Sequence, residues 1–359
     1  PVSFHCYQIA CTLIAAFLVF CYAAPPCAAE EKCGDAIVVG SKSDARTLIP
    51  ILASDSESSQ ICSYLFNGIV KYDKNLNLVG DLAERWEVSA DRLSITFYLR
   101  KNVFWHDGKP LTAEDVQFTY ERLIDPETAT PYSGDFKMVE AFEVIDEHTF
   151  KVTYKEPFAP GLASWGMPVI PKHLLSGQNL QKTEFRRNPI GTGPYRFKKW
   201  KSQEKIELAY NNSYFEGRPY ISRYFNRVIP DEAAIFIELQ TSTIDYTDLS
   251  PIAYTFKTST KFFNEKFTKY RLPGFGYTYL GYNLKNPLFS NKEVRVALDY
   301  AVDKQEIIKI IFFGLAKPIT GPFIIDSWSY NPTIEPRESN PQKAKEILQK
   351  EAPEKKTEK

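Results

Sequence analysis

Residues 76–123 read LNLVGDLAERWEVSADRLSITFYLRKNVFWHDGKPLTAEDVQFTYERL and contain a strand, a turn and a helix in close succession. Apolar and polar side chains alternate over residues 94–100, which is the period of a half-buried strand. Asp107-Gly108 favours a tight turn. Thr112 is placed as an N-cap with Asp115 three residues later, and Asp125-Pro126 ends the helix. This stretch therefore predicts a mixed α/β fold.

The segments DLAERWEVSAD (81–91) and ITFYLRKNVFWHDGKPLTAEDV (95–116) closely resemble the signature region of family 5 extracellular solute-binding proteins. These are peptide- and nickel-binding receptors of ABC importers. PIGTGPYRFKK (189–199) and the stretch 322–332 resemble further family segments. The resemblance implies an α/β, two-lobed periplasmic-binding-protein-like fold of type II, with an extra domain in the first lobe and an incomplete third domain.

The domain boundaries follow from that resemblance. Residues 1–29 are assigned to a signal peptide, residues 30–66 with 189–275 to domain I, residues 67–188 to the extra domain II, and residues 276–359 to domain III. Members of the family continue well past the last residue here. We therefore expect a C-terminally shortened member, which places its binding competence in question.

The first 29 residues carry no Lys, Arg, Asp or Glu, and residues 9–22 are mostly apolar. Such a run is shorter than the roughly 20 residues of a membrane-spanning helix and suits the core of a signal peptide. We expect export to the periplasm with cleavage before Glu30. The alternative is an uncleaved membrane anchor. Of the six cysteines, only Cys33 and Cys62 lie beyond this leader, either as one disulfide or as two thiols.

Charge and motifs exclude several classes of function. The chain has 44 basic and 44 acidic residues, so no excess of positive charge favours nucleic acid. It has no HExxH, CxxC, phosphate-binding loop or dinucleotide fingerprint. We expect no cofactor, no metal and no catalytic residues. His106 is interpreted as a structural residue that holds the turn at Asp107-Gly108.

The resemblance also implies where a ligand binds. The loop at Ser54, Asp55 and Ser56 would pair its backbone with an extended peptide, as in strand addition; the alternative is an ordinary loop that caps the next helix. Tyr132 lies in a long loop, Trp165 beside a glycine, Tyr246 after a helix and Tyr279 in a predicted strand at 276–283. Trp328 lies in the C-terminal family segment. Trp165 and Tyr279 are equally compatible with buried packing.

Together these observations predict a monomeric periplasmic receptor. It would close two lobes around a small peptide and deliver it to the permease subunits of an ABC transporter. A nickel chelate, an oligosaccharide or an opine is the alternative cargo within the family. The alternatives of another class are a secreted hydrolase with an unrecognised carboxylate pair, and a non-functional remnant.

Overall fold

The computed structural model describes residues 33–271, 276–323, 325 and 329–351. These residues form two compact units, which divide between Thr247 and Asp248. The strands, all in the first unit, are β1 (Gly34–Ser41), β2 (Val70–Tyr72), β3 (Leu78–Gly80), β4 (Ala83–Val88), β5 (Ser94–Leu99), β6 (Val139–Asp146), β7 (Thr149–Tyr154), β8 (Tyr195–Lys201), β9 (Lys205–Tyr210) and β10 (Ile221–Val228).

The helices of the first unit are α1 (Ser56–Leu65), α2 (Ala113–Ile124), α3 (Gly161–Ser164), α4 (Lys172–Leu175) and α5 (Glu232–Gln240). Those of the second unit are α6 (Lys261–Lys266), α7 (Pro287–Ser290), α8 (Lys292–Ala301), α9 (Lys304–Ile310) and α10 (Pro341–Glu351). A search of the described residues finds no helix that is both long and apolar enough to span a bilayer.

One sheet of the first unit has the order β1-β10-β9-β8. β1 and β10 are parallel, and the other pairs are antiparallel. On the free edge of β1, Tyr246 forms a parallel bridge to Val39. Helix α1 packs against this sheet through Tyr64, whose ring lies 4.7 Å from that of Tyr224 on β10. The C-terminal end of α1 is thereby fixed against β10.

A second sheet has the order β4-β5-β7-β6 and confirms the pattern read from residues 94–100. Ile95, Phe97 and Leu99 are buried, while the intervening side chains are half-exposed. Phe97 stacks on Phe150 of β7 at 4.9 Å. β6 and β7 of this sheet form an antiparallel hairpin. This alternation buries one face of the sheet, on which the aromatic core of the unit is built.

Asp115 holds the strand, the turn and the helix together. Its carboxylate accepts hydrogen bonds from the Thr112 backbone N–H at 3.1 Å and from the Trp105 indole at 3.2 Å. It also accepts the backbone N–H of Lys172 at 2.9 Å. Burial raises the pKa of Asp115, and these donors oppose that rise. The predicted capping pair of Thr112 and Asp115 is confirmed.

His106 joins the turn at residues 105–108 to the segment that leads into β8. Its Nδ1 accepts the Gly191 N–H at 3.1 Å, so Nε2 carries the proton and donates to the Gly193 carbonyl at 3.0 Å. Gly191 leaves no room for a side chain, because a Cβ there would lie 1.7 Å from the Leu65 carbonyl oxygen. The structural role predicted for His106 is confirmed, and the close approach explains one glycine of the PIGTGPYRF segment.

The second unit differs from its prediction at residues 276–283. The described residues of this unit contain no strand, so the alternating tyrosines have no hydrogen-bonded neighbour there, and an extended segment alone does not form a sheet. Asn291 caps α8, and Ser290 is the last residue of α7. Asp303 caps α9. The three-domain boundaries stay a prediction.

Candidate functional site

The loop at Ser54, Asp55 and Ser56 leads directly into α1. The Asp55 carboxylate accepts the Ser58 backbone N–H at 2.8 Å and the Ser58 hydroxyl at 2.7 Å, so it serves as the N-cap. The Ser58 oxygen in turn accepts the backbone N–H of Arg46 at 2.9 Å. The side chain of Asp55 is therefore occupied within the protein, as the capping interpretation of this loop required.

Unlike the Asp55 side chain, the backbone N–H groups of this loop make no hydrogen bond in the described part of the chain. Ser54 and Ser56 are exposed. In the described part of the chain, no hydrogen bond is found from the N–H groups of Ser54, Asp55 or Ser56. Exposed donors in succession can bind the carbonyl groups of an extended chain without reference to its side chains. The loop thus offers main-chain donors, while its carboxylate stabilises the helix.

Tyr132 supports this loop from the other side. Its hydroxyl donates to the Ala53 carbonyl at 2.5 Å, across 79 residues of sequence. The ring is half-buried and packs against the core of the first unit. Ala53 itself is buried. Tyr132 is therefore in contact with the predicted ligand loop, and its hydroxyl fixes the residue that precedes Ser54.

Tyr246 lies at the edge of the sheet, beside β1. Its carbonyl accepts the Gly40 N–H at 2.9 Å, and its side chain is 46% exposed. Val39 bridges to Tyr246 on one side and pairs with Asn226 on the other, so the three side chains point to the same face. Tyr246 is therefore exposed on the face of the sheet that α1 covers.

Sequence reasoning missed three polar residues of the first unit, namely Glu57, Tyr224 and Asn226. Glu57 is half-buried in the first turn of α1, and the other two side chains are buried on β10. Burial raises the pKa of the Tyr224 hydroxyl, and Tyr64, Glu57 and Tyr246 raise it further. One sequence signal was available: Glu57 and Tyr64 are seven residues apart and share one helical face.

Trp165 lies in the core. It is 4% exposed, and its indole N–H donates to the Tyr154 hydroxyl at 2.9 Å. Its ring packs edge-on against Phe136 at 5.3 Å. This is the buried-packing alternative for Trp165, and the geometry gives no support for a ligand contact.

The remaining predicted residues lie in the second half of the chain. Tyr279 is 73% exposed, and its ring lies 5.6 Å from that of Tyr277. Trp328 lies outside the described residues. Cys33 and Cys62 are both free thiols, the first exposed and the second buried. A search of the described residues finds no group of His, Cys, Asp and Glu suited to a metal ion.

Comparison with known proteins identifies relatives of this chain. It is 34% identical over 330 residues to the oligopeptide-binding protein AppA of Bacillus subtilis, covering 89% of this chain and 60% of that protein. It is 30% identical over 309 residues to the heme-binding protein A of Haemophilus influenzae, covering 79% of this chain and 56% of that protein. The chain therefore spans about 60% of the length of the curated relatives that it matches.

Solved structures of related proteins have the same fold as this chain. NikZ from Campylobacter jejuni in complex with Ni(L-His) matches with a TM-score of 0.78 and 29% identity, over 88% of this chain and 63% of that one. AppA from B. subtilis in complex with a nonapeptide matches with a TM-score of 0.76 and 30% identity, over 89% and 64%. The predicted periplasmic-binding-protein-like α/β fold is thereby confirmed.

The family model described as bacterial extracellular solute-binding proteins, family 5 Middle, matches residues 77–359. This match includes the signature segments at 81–91 and 95–116. Proteins of this family bind solutes and are not enzymes, which confirms the predicted class of protein. The chain belongs to the family 5 bacterial extracellular solute-binding proteins.

Proposed function

We propose that this protein is the substrate-binding component of an ABC importer and that its cargo is a short peptide. It would be exported by its N-terminal segment, capture peptides in the periplasm and deliver them to the permease subunits. Family membership supports the receptor class. The peptide cargo draws support from AppA, which is named as an oligopeptide-binding protein and was solved with a nonapeptide.

The observation that carries the peptide proposal is the loop at residues 54–56. Its exposed N–H groups have no partner in the described structure, and Tyr132 fixes the carbonyl just before them. Donors on a rigid main chain suit the carbonyls of an extended peptide, and they accept many sequences because the side chains are not read. Other relatives are named for heme or were solved with Ni(L-His), so these are the competing ligands.

The experiment compares a peptide with a copy that is N-methylated at alternate residues. N-methylation removes donors and adds bulk on the pairing edge, so we expect binding by calorimetry to weaken at least tenfold when the methylated edge faces the loop. Methylation of the opposite set of residues is the matched control. Equal affinity of both methylated copies and the parent would contradict backbone pairing.

A variant tests the support given to the loop. Tyr132→Phe keeps the ring but removes the hydroxyl that binds the Ala53 carbonyl. We expect a several-fold loss of peptide affinity and a fall of only about 2–4 °C in the thermal midpoint, since one neutral hydrogen bond contributes about 1 kcal/mol. Unchanged affinity would show that the position of Ala53 does not affect the ligand.

A further inference from the structure

Residues 254–271 of the second unit combine positive charge with aromatic side chains. The stretch has a single acidic residue, Glu265, and five basic residues, which are Lys257, Lys261, Lys266, Lys269 and Arg271. Six of its 18 residues are aromatic, against 14% of the whole chain. The whole chain has no net charge, so the local charge of +4 is a property of this stretch and not of the overall composition.

Helix α6 presents lysine and phenylalanine together at its surface. Phe262 and Lys266 are four residues apart, and the Lys266 Nζ lies 5.2 Å from the centre of the Phe262 ring. Phe262 is 43% exposed, and the side chain of Lys261 is 87% exposed. The ion pair of Lys261 with Glu265 is long, at 3.8 Å, and an exposed pair of this kind contributes little. Phe263 is buried and anchors the helix, so the exposed ring and the lysines face solvent.

The turn at residues 253–257, before α6, extends the same surface. Lys269 follows the helix, and its Nζ lies 4.8 Å from the centre of the Tyr254 ring and donates to the Tyr254 carbonyl at 3.2 Å. The chain segments on the two sides of α6 are therefore held together. Phe256 in the turn is 60% exposed, and Tyr270 is 73% exposed. Large exposed rings that lie among several cations are typical of an interaction surface.

We propose that this basic aromatic patch, residues 254–271, binds the surface of an anionic phospholipid bilayer. Lysine and arginine are attracted to anionic lipid headgroups, and aromatic side chains are favoured at the level of the headgroups. The inference goes beyond the proposed receptor function, because it adds a second partner and does not depend on the cargo. A receptor held at the membrane would be concentrated next to the permease that it serves.

An acidic protein surface is the competing partner. Such a surface would complement the lysines but would not account for the exposed rings of Phe256, Phe262 and Tyr270. A bilayer interface takes up cations and aromatic rings together, and it requires no fixed arrangement of partner groups. The combination of rings and cations in one patch therefore favours lipid over an acidic protein.

The experiment measures co-sedimentation of the full chain with vesicles of phosphatidylcholine alone and with vesicles that contain about one third phosphatidylglycerol. Each basic residue near an anionic surface strengthens binding roughly fivefold, so we expect at least ~50-fold stronger binding to the anionic vesicles. Roughly 0.5 M salt should abolish this preference. The N-terminal residues 1–29 carry no charged side chain and would bind both vesicles alike. Equal binding of the chain to both vesicles would overturn the proposal.

Lys261→Gln combined with Lys266→Gln is the main variant, because glutamine removes the charge and suits a helix. Binding to the anionic vesicles should weaken roughly 25-fold, while the thermal midpoint stays unchanged because both side chains are exposed. The matched control is Lys198→Gln with Lys199→Gln, two exposed residues of β8 in the first unit, which removes the same charge and should keep the preference. An equal loss in both double variants would show that binding follows net charge alone and would overturn the patch.

Phe262→Ser tests the contribution of the rings. It keeps every charge, so binding to the anionic vesicles should fall several-fold and remain sensitive to salt. Tyr220→Ser, at a side chain that is 63% exposed in the first unit, is the matched control. Unchanged binding of Phe262→Ser would overturn the insertion of this ring. Binding of the wild-type chain to poly-glutamate but not to anionic vesicles would overturn the proposal in favour of an acidic protein. No peptide is present in these experiments, so their failure leaves the proposed receptor function standing.

Discussion

Lowering the pH from 7 to 4 should destabilise the first unit through one buried side chain, His106. Its Nδ1 accepts the Gly191 N–H, and its Nε2 donates to the Gly193 carbonyl. A second proton would have to bind Nδ1, which already accepts the Gly191 N–H. Burial, followed by the nearby charge of Arg196, lowers the pKa of His106 from 6.5 to about 4, although its bond to Gly193 opposes the shift.

The sign follows from proton binding. Between the folded pKa near 4 and the unfolded value of 6.5, the unfolded chain binds more protons than the folded one. The free energy of unfolding therefore falls as the pH falls through this window. With 1.36 kcal/mol per pKa unit, His106 accounts for a loss of about 2 kcal/mol between pH 7 and 5, and about 3 kcal/mol by pH 4. Domains have only about 5–15 kcal/mol of total stability.

Urea unfolding at pH 7, 5 and 4 measures this effect for the wild-type chain and for His106→Gln. The glutamine can donate and accept but does not titrate, so its free energy of unfolding should fall by about 3 kcal/mol less between pH 7 and 4. His148→Gln, a half-exposed histidine in the turn between β6 and β7, is the matched control. Parallel pH curves for wild type and His106→Gln would show that His106 does not cause the loss of stability.

Three further predictions concern single positions. Ser242 follows α5 with a φ of 59°, where a side chain is strained, so Ser242→Gly should raise the free energy of unfolding by about 1 kcal/mol; a loss in urea unfolding would contradict this. Gly191→Ala should lower it by at least ~2 kcal/mol, because the new Cβ would lie 1.7 Å from the Leu65 carbonyl, whereas Gly134→Ala has open space and should change little. Tyr279→Ala should weaken peptide binding several-fold by calorimetry, and unchanged affinity would remove Tyr279 from the site.

Local patterns predicted the centre of the first unit well. The alternation at residues 94–100, the Asp-Gly turn and the Thr112 cap all depend on neighbours within a few residues, and all are found. Local patterns could not predict all of the hydrogen bonds to the Asp115 carboxylate, because its third donor, the Lys172 N–H, is 57 residues away. Pattern thus predicted which elements form, and long-range contacts decided how they are joined.

The same distinction explains the errors. The tyrosine alternation at residues 276–283 indicates a strand, but a strand also needs a paired neighbour, which periodicity does not supply. Trp165 lies beside a glycine and was therefore a candidate to line the ligand cleft. In the structure its indole is buried and donates a hydrogen bond to Tyr154 on β7. Family resemblance selected Tyr132 as a candidate but did not indicate its contact with Ala53, which is 79 residues away.

The peptide proposal is tested most directly by a thermal melt of the full chain with and without a pool of short peptides. A ligand that binds only the folded state at 100 times its Kd adds about 2.7 kcal/mol, which corresponds to a rise of roughly 5–10 °C for a unit of this size. We predict a cooperative melt whose midpoint rises with peptide concentration. A midpoint that is unchanged by peptides, whether or not Ni(L-His) or heme raises it, would contradict a peptide cargo.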